Sequence, residues 1–203
     1  MASWASAIRS RWSRTAPVVL LAAILAWLPP AVLAVDNDEA LTLLREGEAV
    51  LILRHALAPG TGDPPGFDIG DCSTQRNLND RGREQAGAWK PFLRDHGIER
   101  ARVLSSQWCR SMDTAEVIDV GEVAEFPPLN SFFAGRGDRE RQTRETIAHV
   151  NAMGAGDPII LVSHQVNTRA LTGTSVRSNE GVVVRLPLSR GQGVLARVSP
   201  DTQ

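Results

Sequence analysis

The sequence predicts an α/β protein, a three-layer α/β/α sandwich built on a mostly parallel central sheet. Two observations carry that expectation. Short apolar runs of strand length alternate with longer stretches of helical periodicity, the pattern of a sheet covered by helices on both faces. Three of those runs also end directly in chemically capable residues. Ala49 to Leu53 runs into Arg54-His55, Arg102 to Leu104 into Ser105-Ser106-Gln107-Trp108-Cys109-Arg110, and Pro158 to Val162 into Ser163-His164-Gln165. An open parallel sheet binds its ligands beyond the carboxyl ends of its strands, so three such ends predict one convergent anion site. A lone Arg-His after a strand is a common accident, and the constellation is the signal.

The first 34 of the 203 residues read as a targeting segment. Arg9, Arg11 and Arg14 form a basic start, Ala16 to Leu28 is an apolar core interrupted by Pro17, and Pro29-Pro30 precedes Val32-Leu33-Ala34, a small-residue cleavage pattern. Cleavage predicts a periplasmic or secreted protein. The alternative is an uncleaved anchor, because Ala16 to Val35 is about long enough to span a bilayer. Contact with a membrane is expected only in that case.

Cleavage would leave a single domain over residues 35–203, enough for a sizeable core. It would remove three arginines and no acid, moving the formal net charge from −1 to −4. That mild acidity argues against nucleic acid or an anionic lipid surface as the main partner. Lys90 is the only lysine. Cys72 and Cys109 permit one disulfide beside the predicted site or, alternatively, two free buried thiols. The histidines are too scattered for a metal site.

Element by element, Asp36 to Arg45 reads as a helix with Asp38 as N-cap. Ala58 to Ser73, rich in Gly, Pro and Asp, is a long loop of the kind that forms lids or selects substrates. A helix is expected from Asn79 or Asp80 to Asp95, with Ala86, Trp89, Phe92 and Leu93 inward and Gly97 ending it. A strand at Val103-Leu104, a helix from Cys109 to Asp119 and a short strand from Val123 to Phe126 follow. Pro127 to Phe133 is a second loop. A helix from Gln142 to Met153, the strand Pro158 to Val162, a helix to Thr172, and strands Gly181 to Leu186 and Gly193 to Val198 complete the chain.

Four motifs in order carry a resemblance: Arg54-His55-Ala56, Arg76-Asn77-Leu78-Asn79-Asp80-Arg81-Gly82-Arg83-Glu84-Gln85-Ala86, Ser105-Ser106 with Arg110 and Thr114-Ala115, and Leu161-Val162-Ser163-His164. Together they resemble the histidine phosphatase superfamily, the phosphoglycerate-mutase-like enzymes, over most of the predicted mature domain. The usual third residue of the first motif is glycine, and here it is Ala56. The resemblance implies a phosphoric monoester hydrolase of the histidine acid type and, taken with the targeting segment, an exported bacterial member of the family. It would act through a phosphohistidine on His55 and need no metal or other cofactor.

The chemistry also follows from the residues. A neutral imidazole is a competent nucleophile near neutral pH when its other ring nitrogen is held. Arg54, Arg110 and His164 would neutralise the migrating phosphoryl group. Arg76 either touches phosphate or braces the loop, Ser105 and Ser106 read as a turn that presents Arg110, and His96 and His149 fall on helices away from strand ends. Trp108, Phe132 and Phe133 are read as core or as pocket lining.

The general acid is the departure. One family branch places aspartate directly after the second histidine, where this chain has Gln165. The other draws glutamate from the loop after the third strand, where it has Leu129-Asn130-Ser131. General acid catalysis is worth about 10² to 10⁴ in rate, so its absence would favour substrates with good leaving groups. Alternatively a loop carboxylate substitutes. Asp63, Asp68, Asp71 and Glu180 are the choices; each reads first as an ordinary solvated charge, and Asp71 and Glu180 are named as the candidates.

The leading expectation is thus an exported phosphatase acting on a phosphorylated small molecule or an envelope glycolipid such as a lipopolysaccharide core sugar. A mutase fits an exported protein poorly. A phosphate-binding or regulatory protein with weak or no catalysis is the alternative of a different class.

Overall fold

The computed structural model describes residue 1, residues 36–154 and residues 156–200. Apart from Met1, the proposed targeting segment lies outside the described residues.

The elements are, in order, α1 (Asn37–Arg45), β1 (Ala49–Arg54), α2 (Asp80–Gly87), α3 (Trp89–Asp95), β2 (Arg102–Ser105), α4 (Cys109–Ile118), β3 (Val123–Glu125), α5 (Arg139–Ala152), β4 (Ile159–Ser163), α6 (Gln165–Thr172), β5 (Gly181–Arg185) and β6 (Ala196–Val198). The six strands form one sheet in the order β3-β2-β4-β1-β5-β6. Strands β3, β2, β4 and β1 pair in parallel, β5 runs antiparallel to β1, and β6 antiparallel to β5. The mixed α/β, mostly parallel architecture expected from the sequence is the one observed.

The apolar runs of β1 and β4 follow from burial on both faces. Successive side chains of a strand point to opposite sides, so a strand covered twice must be apolar throughout. Leu51 and Leu53 of β1 and Ile160 and Val162 of β4 join one core with Leu41 and Leu44 of α1, Trp89, Phe92 and Leu93 of α3, and Ala115 and Ile118 of α4. Val50 and Ile52, with Ile159 and Leu161, face the opposite core with Val150 of α5 and Leu171 of α6.

Two local expectations are corrected. The N-cap of α1 is Asp36, whose Oδ1 accepts from the Glu39 amide at 2.7 Å, while Asp38 sits in the first turn. The helix expected over 79–95 is two helices meeting at Ala88. Pro91 has no amide to give the carbonyl of Gly87, and its ring would clash there, so the first helix stops and α3 starts afresh with its proline in the first turn. Most other boundaries shift by one to three residues. The last strand is shorter than expected, Ala196–Val198 only.

Register sets the site. Arg54 pairs with Ser163 and Ser105 with Val162, so His55, Ser106 and His164 leave three adjacent strands at one level. The turn after β1 is then held at every amide. His55 donates to the Ser163 carbonyl (2.9 Å), Ala56 to Thr114 Oγ1 (3.0 Å) and Leu57 to Gln85 Oε1 (3.3 Å). Ala56 is fully buried and has no positive φ, so glycine is not required there.

Gly82 of α2 abuts the same turn, and a Cβ placed on it would lie 2.1 Å from the Leu57 carbonyl oxygen. Gly82→Ala is therefore expected to destabilise the fold by about 1–3 kcal/mol, because backbone rather than a flexible side chain must yield. A shift in the urea midpoint measures it, and an unchanged midpoint would show that the contact relaxes freely.

Candidate active site

The long loop after β1 closes over the strand ends and is anchored at several points. Cys72 is bonded to Cys109 at the start of α4, with a Cα–Cα distance of 5.8 Å. Gln75 is buried, donating to the Asp68 and Ile69 carbonyls and accepting from the Cys109 amide at 3.0 Å. Arg76 Nε donates to the Gly62 carbonyl at 2.8 Å and its Nη1 to that of Ala58. Arg76 thus braces the loop, and its side chain also lines the cavity beneath it.

That cavity, about 250 Å³, is lined by Arg54, His55, Asp63, Arg76, Arg110, Arg136 and His164, together with Ser131, Phe133, Gln165 and Val166. His55 Nδ1 lies 2.7 Å from its neighbour's carbonyl, Ala56 O. A carbonyl only accepts, so the Nδ1 proton is placed and Nε2 keeps its lone pair. Arg110 Nε–H points at that nitrogen from 3.2 Å. The His164 ring stands edge-on to His55 with centroids 5.3 Å apart, and its Nε2 is 2.8 Å from Ser106 Oγ. Arg54 Nη1 donates to the Val176 carbonyl at 3.2 Å, while its Nε is buried without a partner. The first turn of α6 also opens here, and its N-cap residue, His164, offers no capping side chain. Helix N-termini favour anions.

The electrostatics follow from burial under several guanidiniums. Burial first, then the Arg110 charge, pushes His55 well below its usual range. Burial, then His55 and Arg110, does the same to His164. Burial and the Arg110 charge bring Arg76 down to about 10. Burial alone would raise Asp63, but hydrogen bonds from Arg110 and Trp108 outweigh it and keep the carboxyl below its ordinary value. Among residues lining the cavity Asp63 is the single carboxylate against four arginines, an environment short of negative charge.

The neutral histidines make stability depend on pH. Each has a lower pKa folded than unfolded, so below about pH 6.5 the unfolded chain binds more protons and stability falls. The expected loss is roughly 1 kcal/mol per pH unit for each ring. Urea midpoints in phosphate-free buffer between pH 7 and 5.5 should show this fall. His164→Ala should flatten it, and an unchanged slope would mean the ring is not held neutral.

The structure brings Arg54, His55, Arg76, Arg110 and His164 together. The two carboxylates singled out as substitute acids are elsewhere, which corrects that expectation. Asp71 caps the short turn Cys72–Thr74, accepting from the Ser73 amide at 2.9 Å in an exposed position. Glu180 accepts from the Arg177 amide at 2.7 Å and pairs with Arg197 at 3.4 Å. Neither lines the cavity. His96 packs on Phe92 and His149 on Phe126, both outside the cavity lining.

Sequence reasoning missed the direct contact of Ser106 with His164, and Asn130, whose side-chain oxygen receives the Ser106 hydroxyl and the Gln107 amide. It also passed over Asp63, whose partner Arg110 is 47 residues away. Among the described residues no group of three or more His, Cys, Asp or Glu is placed to hold a metal ion. No described helix is long and apolar enough to cross a membrane.

A family model, the histidine phosphatase superfamily (branch 1), matches residues 50–136, the stretch that carries Arg54, His55, Asp63, Arg76 and Arg110. Among solved structures, the protein histidine phosphatase SixA complexed with tungstate is similar at 20% identity and TM-score 0.56, over 75% of this chain and 97% of that one. A mycobacterial glucosyl-3-phosphoglycerate phosphatase with inorganic phosphate is similar at 16% identity and TM-score 0.55, over 77% and 100%. At these identities the likeness is one of fold. No curated protein matches the chain in sequence.

Proposed function

We propose that this chain, whose residues 50–136 match the histidine phosphatase superfamily (branch 1), is an exported phosphatase of that superfamily hydrolysing phosphate monoesters through a phosphohistidine on His55, without a metal. The observation that carries this reading is the His55 ring itself. Its Nδ1 proton is committed to the Ala56 carbonyl and its Nε2 lone pair faces the arginine cluster. A nucleophile with its tautomer fixed and its charge suppressed is ready to attack phosphorus at neutral pH.

In the first step Nε2 bonds to phosphorus as the ester oxygen leaves. Arg54, Arg76 and Arg110 hold the equatorial oxygens and stabilise their charge. The bound dianion also raises the proton affinity of His164, turning a neutral ring into an additional cationic donor. Water then attacks phosphohistidine, releasing phosphate and restoring His55.

Export is supported by the basic, apolar and small-residue order of the first 34 residues and by the Cys72–Cys109 bond, which suits an oxidising compartment. The substrate is a phosphorylated small molecule or an envelope glycolipid. A cavity of about 250 Å³ accommodates the phosphoryl group and the first atoms of its leaving group. The two similar structures are named as a protein histidine phosphatase and a glucosyl-3-phosphoglycerate phosphatase, a protein and a small-molecule substrate of very different size. Gln165 lining the cavity, where one family branch has its acid, favours the second reading of a phosphate binder with weak catalysis.

Hydrolysis of 4-nitrophenyl phosphate by the purified domain in EDTA separates the two readings. Steady release of phosphate supports the enzyme. Protection against heat by phosphate without any turnover supports the binder.

A further inference from the structure

We propose that Asp63 is the general acid of this reaction, freed for that role when the substrate's phosphoryl group takes over its place on Arg110. The proposal rests on the phosphohistidine reading above. Asp63 sits on Arg110 where an anion would bind. Its Oδ1 lies 2.6 Å from Arg110 Nη1 and its Oδ2 3.4 Å from Nη2. Trp108 Nε1 donates to Oδ2 at 3.1 Å and the Arg76 amide to Oδ1 at 3.3 Å. Both members of the ion pair are buried, with side-chain exposures of 4% and 5%.

Arg110 spans the nucleophile and the carboxylate. Its Nε is on His55 Nε2 while its two terminal nitrogens are on Asp63. In-line attack by Nε2 must bring phosphorus beside this same guanidinium. The phosphoryl oxygens then compete with Asp63 for Arg110, and a second negative charge arrives next to the carboxylate. Losing a charge-assisted hydrogen bond and gaining a like charge both raise a carboxyl group's proton affinity. The remaining charged and titratable groups around the cavity are Arg54, Arg76, Arg136, His55 and His164, so Asp63 has no carboxylate rival there.

The neutral donors persist through the exchange. The Trp108 indole is stacked on Phe67 with centroids 5.0 Å apart, and Arg136 covers Phe67 at 4.4 Å. That wall keeps Asp63 at the cavity after Arg110 has turned to phosphate.

The proton enters with the phosphate monoanion or from solvent. As the P–N bond to His55 forms and the P–O bond breaks, the electron pair goes to the leaving oxygen and Asp63 transfers its proton there, giving an alcohol and a carboxylate. In the second step Asp63 takes a proton from the attacking water, the P–N bond breaks and its pair returns to Nε2. Ordinary alkyl and sugar phosphates therefore become substrates, whereas a site lacking an acid favours activated esters.

The test is a leaving-group series from 2,4-dinitrophenyl phosphate to glycerol phosphate, measured on the wild type, Asp63→Asn and His55→Ala. The wild type should depend only weakly on leaving-group basicity. Asp63→Asn should lose about 10² to 10⁴ in kcat on glycerol phosphate and far less on the dinitrophenyl ester. It should also lose the wild-type decline of kcat with rising pH. Equal losses on both esters, or none, overturn the proposal and leave Asp63 as a positioning residue or less. A steep dependence in the wild type overturns it whether or not the variant folds. Retained turnover in His55→Ala shows instead that the phosphohistidine reading itself has failed.

Discussion

Replacing His55 with alanine is expected to lower turnover of an aryl phosphate by about 10⁴-fold or more, the scale on which enzymes lose rate with their nucleophile. The anion cluster does not depend on this ring. Arg54, Arg76 and Arg110 are placed by β1, the loop and α4, so the variant should still be protected against heat by inorganic phosphate. A second signature comes from the bond itself. Wild-type protein quenched during turnover of labelled substrate should retain phosphate that survives base and is lost in acid, as a phosphoramidate is, and His55→Ala should retain none. Label that survives acid would place the phosphoryl group on an oxygen and remove His55 from its proposed role.

The second large effect is expected at Arg110, where activity and stability are joined. Arg110→Met removes the donor beside His55 Nε2 together with the pair of donors that hold Asp63. Loss of one preorganised donor to a developing oxyanion costs about 10² to 10³ in rate, so kcat/KM should fall at least that far. The variant also strands the Asp63 carboxylate at 5% side-chain exposure, and breaking a buried pair from one side destabilises by about 3–5 kcal/mol. Adding Asp63→Asn to Arg110→Met should recover much of that stability and none of the activity. Urea midpoints and steady-state kinetics on the same three proteins measure both. Recovery of activity in the double variant would mean that Arg110 acts only by restraining Asp63.

Arg54, His55, Arg110 and His164 were legible because local patterns encode them. Each follows an apolar strand at one or a few residues' distance, and parallel register then carries them to one edge of the sheet. The break at Ala88 was equally local, signalled by Pro91, and was missed because the apolar positions on either side share one helical face. Asp71 and Glu180 were misread for the opposite reason. A carboxylate in a loop has no period, and only the folded chain shows that Asp71 caps a turn and Glu180 serves Arg177 and Arg197.

The sequence by itself determined the α/β class, the strands that form the buried centre of the sheet, and the arginines and histidines at their ends, because burial on two faces demands continuous apolar runs and a polar break ends them. The tertiary structure alone decided which polar groups meet. Asp63 reaches Arg110 across 47 residues and Ser106 reaches His164 across 58, by loop closures that no local pattern records. Buried charge is tolerated only where a partner is supplied, and here that partner comes from a distant part of the chain.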